Sequence, residues 1–269
     1  MGSSNLTGMS GMFPGRVKVT CVAFQPDSWL GLVMSLWTPP PDDAPRRLAD
    51  LRVSYDIGEL DASDLSANPL DAFHGWFADA EAAGLPEPNA MILATATSGA
   101  APSARTVLLK EADTRGFVFY TNLSSRKSGE LRANPQASLA FPWFAMHRQV
   151  CVVGSAELIA RDEVEAYFTS RPRGSRLGAW ASEQSSVIAD RSVLEERYAT
   201  LDAEFGDDIP VPDFWGGWLI RPVTVEFWQG RPSRLHDRLR FRRLDDAPPT
   251  ADPAPLDDPD RWLLERLAP

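Results

Sequence analysis

The stretch that follows Asn68 has the apolar spacing of an amphipathic helix. Its apolar residues recur every three or four positions and so share one face: Leu70, Phe73, Trp76, Phe77 and Ala80. The Asn68 side chain can cap the first turn, and Pro69 suits the first helical position, where an N–H would have no partner. Gly84 provides a stop. The pattern predicts one helix that packs its apolar face on a core.

Beyond this helix, short apolar runs alternate with polar turns. Such runs are typical of strands in an antiparallel sheet or barrel rather than of alternating βαβ units. The predicted strands are Met91–Thr97, Arg105–Lys110, Gly116–Thr121, Ala137–Trp143 and Gln149–Ile159, followed later by Gly217–Arg221, Thr224–Gly230 and Arg238–Leu244. Helical spacing returns at Arg161–Thr169 and Val193–Phe205, and order resumes at Arg261–Leu267. The fold class is therefore mainly β with flanking helices.

Two segments differ in composition from the rest of the chain. Residues 1–48 are rich in Gly, Ser and Pro and include Pro39-Pro40-Pro41, which predicts a disordered N-terminal extension. Residues 49–269 then form a single domain, interrupted by a Pro/Asp-rich loop at 245–260 that has little to pack. No internal repeat is visible in the sequence.

Charge and cysteine content exclude several classes of function. The 27 basic and 37 acidic residues give a net charge of -10, which argues against a general nucleic-acid binder. No apolar run reaches the ~20 residues of a membrane span. Cys21 and Cys151 cannot build a disulfide framework, and free thiols favour a cytoplasmic location. The sequence lacks HxxxH and CxxC spacings, so we expect no metal site.

Three separate segments carry cations in positions suited to an anion. Arg105 and Lys110 end an apolar strand, about 16 Å apart at ~3.3 Å per residue and on opposite faces, which favours two different anionic groups. Arg126 and Lys127 open a helix that Ser124 or Ser125 can cap, and a helix N-terminus attracts anions. The third segment is a predicted basic loop, Arg171–Arg176, close to Tyr167. Taken singly, these segments could equally be a strand with solvated ends, an ordinary capped helix and a solvated loop.

The block from Phe214 to Arg243 combines three tryptophans with an excess of arginine around His236. Aromatic rings supply stacking surface, and arginine supplies forked donors that match phosphate oxygens. Gln149, Gln184 and Ser185 add neutral groups that can read the polar edge of a heterocycle. Together with the three basic segments, the block indicates two phosphorylated planar ligands. The sequence contains no GxGxxG or P-loop pattern.

A series of longer strings resembles the pyridoxamine 5′-phosphate oxidase family. In order they are RTVLLK, FYTNLSSRK, FPW with RQV, YFTSRPRGS, GAWAS with QSS, FWGGW, EFWQG, RLHDR and the final RLAP. The resemblance covers about Leu51 to Arg243 plus the last residues. It implies an FMN-binding split β-barrel that works as a homodimer with sites between subunits. It also implies oxidation of pyridoxamine or pyridoxine 5′-phosphate to pyridoxal 5′-phosphate, with O2 reduced to H2O2.

The resemblance assigns roles to individual residues. The implied FMN contacts are Arg105, Thr106, Val107, Leu108, Leu109, Lys110, Tyr120, Thr121, Arg126, Lys127, Gln149, Gln184, Ser185, Trp228 and Arg238. The implied substrate contacts are Lys110, Tyr167, Arg171 and Ser175 at the phosphate, Arg234 and His236 at the ring, and Arg52 and Tyr55 from an N-terminal segment. Val53 and Ser54 depart from the charged middle of that segment in the family.

Arg234 and His236 are the residues implied in catalysis, where they hold the substrate ring and assist proton removal while the flavin takes a hydride from C4′. Two alternatives keep the same barrel. One is a non-catalytic binder of FMN or pyridoxal phosphate, and the other is a flavin-dependent reductase with a different substrate. The intact RLHDR and YFTSRP strings argue against the first, since a pure flavin binder would not need a second phosphate site. Tyr167, Arg171 and Ser175 discriminate against the second, because they are substrate-side residues.

Overall fold

The computed structural model describes residues 48–51, 53–244 and 254–269. The chain divides into two compact units, Met1–Arg52 and Val53–Pro269. In the first unit the described residues form a short 3-10 helix, Leu48–Asp50. The predicted disordered extension lies outside the described residues apart from Leu48, as do the predicted substrate residue Arg52 and positions 245–253 of the predicted loop.

Nine strands and five α-helices make up the described part of the second unit. The strands are β1 (Ala90–Ala96), β2 (Pro102–Leu108), β3 (Glu111–Asp113), β4 (Gly116–Asn122), β5 (Gln136–Trp143), β6 (Arg148–Leu158), β7 (Trp215–Gln229), β8 (Asp237–Arg243) and β9 (Trp262–Leu267). The helices are α1 (Pro69–Ala82), α2 (Arg126–Ala133), α3 (Arg161–Ser170), α4 (Arg173–Ala181) and α5 (Ser192–Phe205). The predicted class, mainly β with flanking helices, is confirmed.

All strand pairs in the sheet are antiparallel, in the order β2-β1-β5-β6-β7-β4-β3, and β8 joins β7 to β9. The long strand β7 organises this sheet. Its first part pairs with β4 and its last part with β8. Along its opposite edge, β7 pairs with β6 from Trp218 to Gln229. The sheet therefore has two regions that share one strand.

One continuous β7 replaces the two late strands that the sequence predicted. Pro222 interrupts the apolar pattern, but it lies between the residues that pair with β4 and those that pair with β8. On the β6 side the register shifts between Val153 and Gly154, opposite Pro222. A bulge at this point accommodates a residue that cannot donate to the ladder. A Cβ on Gly154 would lie 2.1 Å from the Arg221 carbonyl oxygen, so the close approach needs glycine.

The predicted amphipathic helix is confirmed as α1, which covers the main core. The Asn68 side chain caps it by accepting from the Asp71 N–H at 2.8 Å. Phe73 meets Phe117 edge-to-face at a centroid distance of 4.9 Å, and both rings are fully buried. Burial of each large apolar side chain contributes about 1.5–3 kcal/mol, so α1 is held by its aromatic face.

A second, smaller core lies between α3, α4 and the start of β7. Its buried residues are Val164, Phe168, Leu177, Ile209 and Trp215. The prediction of a basic loop at Arg171–Arg176 is wrong from Arg173 onward, where α4 begins. Leu177 and Ala181, one helical turn apart, are both buried. Packing of this apolar face outweighs the loop-like composition of the Arg-Gly-Ser segment.

Candidate functional site

A cavity of about 870 Å³ lies against β2, β4, α4 and the segment after α4. Its lining includes the predicted site residues Arg105, Thr106, Val107, Leu108, Lys110, Tyr120, Thr121, Lys127, Tyr167, Arg171, Ser175, Gln184 and Ser185. The tertiary structure thus joins segments that lie far apart in sequence. A cavity of this volume is large enough for a drug-sized ligand.

Lys127 is a buried cation in the lining of this cavity. Its Nζ donates to Thr121 Oγ1 at 2.8 Å, to Gln184 Oε1 at 2.6 Å and to Ser125 Oγ at 3.2 Å. All three acceptors are neutral. Burial, and secondarily the charge of Arg105, lower the pKa of Lys127 to about 8. An anion in the cavity would supply the charge compensation that these neutral acceptors do not.

The start of α2 adds donors at the same place. Ser125 is the N-cap residue, but its side chain makes no cap hydrogen bond, so the predicted serine cap is not formed at this residue. Ser125 Oγ instead accepts from Lys127 Nζ. The Arg126 N–H donates to Ser185 Oγ at 3.2 Å. The positive end of the helix dipole therefore lies beside Lys127, as in many phosphate sites.

The buried carboxylate of Glu130 binds two of the predicted arginines, Arg105 and Arg126. Glu130 Oε2 accepts from Arg105 Nη2 at 3.3 Å, and Glu130 Oε1 accepts from Arg126 Nε at 2.8 Å. Thr95 and Ser103 donate to the same carboxylate at 2.5 and 2.6 Å. Although burial opposes ionisation, the hydrogen bonds from Ser103, Thr95 and Arg126 lower the pKa of Glu130 to about 2. Glu130 thus ties α2 to β1 and β2.

A stack of three aromatic rings borders another part of the cavity. The centroids of Tyr120 and Tyr167 are 4.0 Å apart, and those of Tyr120 and Trp215 are 5.5 Å apart. The Arg171 guanidinium lies 4.7 Å from the Trp215 ring centroid, a cation–π contact. Its buried Nη1 has no hydrogen-bond partner among the described residues, and burial lowers the pKa of Arg171. Arg171 is therefore a second cation that lines the cavity, half-buried overall but with one buried nitrogen.

Lys110 lines the same cavity as Arg105, with its Nζ 6.0 Å from the Tyr167 ring centroid. The prediction that the two cations point to opposite faces assumed a strand through Lys110. Because β2 ends at Leu108, strand alternation does not extend to Lys110. Leu109 is buried in the main core and does not line the cavity.

The remaining predicted residues form a second group around Trp228 and His236. Tyr55 packs against both rings, with centroid distances of 5.8 and 5.6 Å. Gln149 is the cross-strand partner of Trp228 and lines a small cavity of about 160 Å³ with Tyr55. His236 Nδ1 accepts the Arg231 N–H at 3.1 Å. In neutral His236 this hydrogen bond leaves the proton on Nε2, which is then a donor.

Arg234 and Arg238, two residues before and after His236, differ in exposure and in hydrogen bonding. Arg234 is exposed and follows Ser233 in the left-handed region, with φ of 63° and 57° respectively. Such backbone is rare for non-glycine residues and is often found at ligand sites. Arg238 instead forms a bidentate pair with Glu226 at 2.8 and 3.0 Å, and its Nη1 donates to the Ala268 carbonyl. The predicted flavin contact Arg238 is thus already held by a carboxylate.

The two groups lie at opposite ends of β7. Trp215 borders the large cavity, whereas Trp228 belongs to the second group. At ~3.3 Å per residue, about 40 Å of strand separates them. One chain therefore brings the predicted residues together in two places rather than in one.

Sequence reasoning missed Trp215 and Glu130 as parts of the site. Trp215 was visible in the aromatic block but received no role. Glu130 lies four residues after Arg126, the spacing of a helical ion pair, so that signal was available. Within the described residues, no group of three or more His, Cys, Asp or Glu side chains could hold a metal ion. No described helix is long and apolar enough to cross a bilayer.

Two family models match the chain. One, described as pyridoxamine 5′-phosphate oxidase, matches residues 77–203, and one, described as the pyridoxine 5′-phosphate oxidase C-terminal dimerisation region, matches residues 215–269. A pyridoxine/pyridoxamine 5′-phosphate oxidase of Salinibacter ruber is 51% identical over 225 residues, which cover 83% of this chain and 99% of that protein. A protein of the same name from Salinispora arenicola is 52% identical over 225 residues, covering 82% of this chain and 96% of that protein.

Solved structures agree with the fold. The crystal structure of PhzG from Burkholderia lata 383, in complex with tetrahydrophenazine-1-carboxylic acid, matches with a TM-score of 0.71 and 30% identity. That match covers 81% of this chain and all of the other. A pyridoxamine 5′-phosphate oxidase-related, FMN binding protein from Nostoc punctiforme matches with a TM-score of 0.56 and 20% identity, over 73% of this chain and 97% of the other. This second likeness shows the fold alone.

Proposed function

The chain belongs to the pyridoxamine 5′-phosphate oxidase family, and on that premise we propose that it oxidises pyridoxamine and pyridoxine 5′-phosphates to pyridoxal 5′-phosphate. The proposal includes FMN as cofactor and O2 as the final acceptor. One observation carries it: the cavity lining holds two cations with different surroundings, the buried Lys127 and the half-buried Arg171. One would bind the phosphate of the flavin and the other the phosphate of the substrate.

The flavin phosphate would lie at the start of α2. Lys127, Arg105 and the first turn of α2 supply positive charge there, and Thr121, Gln184 and Ser185 supply neutral polar groups. The donor set fits a phosphate, because Lys127 is buried without a carboxylate within ion-pair distance among the described residues. When bound, FMN supplies the acceptor for a hydride from the substrate C4′ and transfers the electrons to O2, which gives H2O2.

The substrate phosphate would lie at Arg171, with Lys110, Tyr167 and Ser175 around it. Arg171 Nη1 is buried and unpartnered among the described residues, so a phosphate oxygen would satisfy it. The stack that contains Tyr167 makes one wall rigid. These residues fix the phosphate end of the substrate and leave its ring for other groups to orient.

We propose that those other groups come from a second copy of the chain. His236, Arg234 and Trp228 lie at the far end of β7 from Trp215, so one chain does not place them at its own cavity. The match of residues 215–269 to a dimerisation region supports a homodimer. Gln149 and Arg238 would then contact the flavin of the partner. In this arrangement His236 Nε2–H would donate to a substituent of the substrate ring, and Arg234 would hold the ring.

The test is to add pyridoxine 5′-phosphate in air to the purified protein loaded with FMN. Pyridoxal 5′-phosphate and H2O2 should appear in equal amounts. Arg171→Met should raise KM by roughly tenfold or more, because charged hydrogen bonds contribute about 1.5–3 kcal/mol. Arg132→Met is the control, since Arg132 is exposed on α2 and does not line the cavity. A bound flavin that never turns over would favour the non-catalytic binder instead.

The cytoplasmic location stays a prediction.

A further inference from the structure

Residues Tyr55–Leu60 form a strap that has no helix or strand of its own. Long side chains from other elements bind its backbone. Gln229 Nε2 donates to the Ile57 carbonyl at 2.8 Å, and Arg231 Nη1 donates to the Gly58 carbonyl at 3.1 Å. Both donors lie at or just beyond the end of β7, next to the second group of site residues. The strap is therefore placed by side-chain contacts rather than by a ladder.

At the C-terminal end of the strap, side chains form hydrogen bonds with both the N–H and the C=O of Leu60. The Leu60 N–H donates to Asp237 Oδ2 at 3.1 Å, and Arg266 Nη2 donates to the Leu60 carbonyl at 3.1 Å. Arg266 Nη1 also donates to Asp237 Oδ1 at 3.0 Å, and Arg266 Nη2 donates to Asp61 Oδ1 at 2.6 Å. Asp237 and Arg266 thus form a clamp around one peptide position. Asp237 additionally lies 3.5 Å from Arg231 Nε.

The strap carries Tyr55 onto the second group. The Tyr55 ring meets the His147 ring edge-on at 4.6 Å and touches Trp228 and His236. A Cβ on Gly230 would lie 2.9 Å from Tyr55 Cγ, so glycine allows this close packing. The position of Tyr55 beside His236 therefore depends on how the strap is held.

We propose that Asp237 and Arg266 are positioning residues that hold the strap and so place Tyr55 as a wall of the substrate site. The structural half of this inference is independent of the reaction, and the catalytic half rests on the proposed function. A segment without regular structure has conformational freedom that its contacts must offset. Two charged side chains that bind both the N–H and the C=O of Leu60 are suited to this, because charge-assisted hydrogen bonds are the stronger kind.

The first experiment measures hydrogen exchange of residues 53–60 in the full-length protein loaded with FMN. Asp237→Asn keeps the shape but loses one of two acceptor oxygens and the charge. Arg266→Lys keeps the charge but lacks the fork that reaches Asp237, Asp61 and Leu60 together. Both variants should speed exchange in this segment by roughly tenfold. The matched control is Arg240→Lys, which alters a β8–β9 ion pair with Glu265 and touches no strap residue.

The second experiment measures turnover of pyridoxine 5′-phosphate in the same variants. Asp237→Asn and Arg266→Lys should raise KM by roughly tenfold with little change in kcat or FMN content, because they loosen a wall that binds substrate. In a Tyr55→Ala background they should raise KM no further, since the wall is already absent. Arg240→Lys should behave like the native protein in both assays.

The outcomes separate the inference from the proposed function. Unchanged exchange at residues 53–60 in both variants would overturn the clamp. Faster exchange with an unchanged KM, or a KM effect that adds fully to that of Tyr55→Ala, would overturn the positioning role. If the native protein shows no oxidase turnover, the proposed function fails, and the exchange experiment still decides whether Asp237 and Arg266 hold the strap.

Discussion

Replacement of Lys127 by methionine should separate flavin-phosphate binding from fold stability. Methionine has a similar length, keeps the apolar stem contacts and removes the ammonium group. Among the described residues this group donates only to neutral acceptors, which lie on Thr121, Ser125 and Gln184. If the cavity binds the phosphate of FMN here, the substitution removes a charged partner of that phosphate and also removes a desolvated charge from the flavin-free protein.

The structure sets the size of both effects. A pKa of about 8, against 10.5 for an unburied lysine, corresponds to about 3 kcal/mol of penalty for keeping Lys127 charged. The three lost hydrogen bonds, worth about 1 kcal/mol each, offset this gain, so flavin-free Lys127→Met should be about as stable as the native protein at pH 7. Loss of a charged phosphate contact should raise the FMN dissociation constant by roughly 10- to 100-fold.

The pH dependence follows from the direction of the pKa change. Because the folded pKa of Lys127 lies below the unfolded pKa, the unfolded chain binds more protons between about pH 8 and 10.5. Stability of the native flavin-free protein should rise across this window relative to that of Lys127→Met, which has no group that titrates there. FMN affinity of the native protein should fall above about pH 8 as Lys127 loses its proton, whereas the variant should lack this fall.

The assay titrates the flavin-free proteins with FMN and with riboflavin, and follows the quenching of flavin fluorescence. Riboflavin lacks the phosphate, so its affinity should be the same in Lys127→Met and in the native protein. Arg132→Met serves as the control on the same helix. Equal loss of FMN and riboflavin affinity, or identical pH profiles for FMN in both proteins, would refute the assignment of the flavin phosphate to Lys127.

Three further predictions test other parts of the site. Glu130→Gln should lower the free energy of unfolding at pH 7 by about 3 kcal/mol, because the pKa of Glu130 is lowered from 4.5 to about 2 in the folded protein. This stabilisation is present above pH 4.5 and is lost as the pH falls through 2. Urea unfolding should therefore show a smaller stability difference between the native protein and the variant at pH 3 than at pH 7. Arg234→Ala should reduce turnover far more than FMN content, measured by absorbance, and equal loss of both would contradict its role at the substrate ring. Gly230→Ala should displace Tyr55, whose Cγ lies 2.9 Å from the added Cβ, and raise KM; an unchanged KM would show that Tyr55 does not contact substrate.

Most strands and four of the described α-helices were readable in the sequence, three of them from their apolar period and the one at Arg126–Ala133 from its capping serines. The helix at Pro69–Ala82 shows this, since its cap, its proline and its apolar stripe all agree. The helix at Arg173–Ala181 was not readable in the same way. Its first residues have the composition of a loop, and only the burial of its apolar face, with Leu177 in the second core, makes the segment helical.

The continuous strand Trp215–Gln229 was also hidden from sequence reasoning. Pro222 predicts a break, because proline cannot donate to a ladder. The break disappears only when β4 and β8 pair with different parts of the strand and a bulge next to Pro222 interrupts the ladder with β6. Such pairing is a non-local property, and the residues of β7 alone do not contain it.

The sequence by itself determined the types of chemistry: cations for two phosphates, aromatic rings for planar ligands, and the family that combines them. It determined these because side-chain chemistry and motif spacing are local properties. Only the tertiary structure decided which of these residues meet. It placed Lys127 and Arg171 at one cavity, held Arg238 on Glu226, and set Trp228 and His236 at the other end of β7. Strand length and pairing impose that separation, since about 40 Å of β7 lies between the two groups.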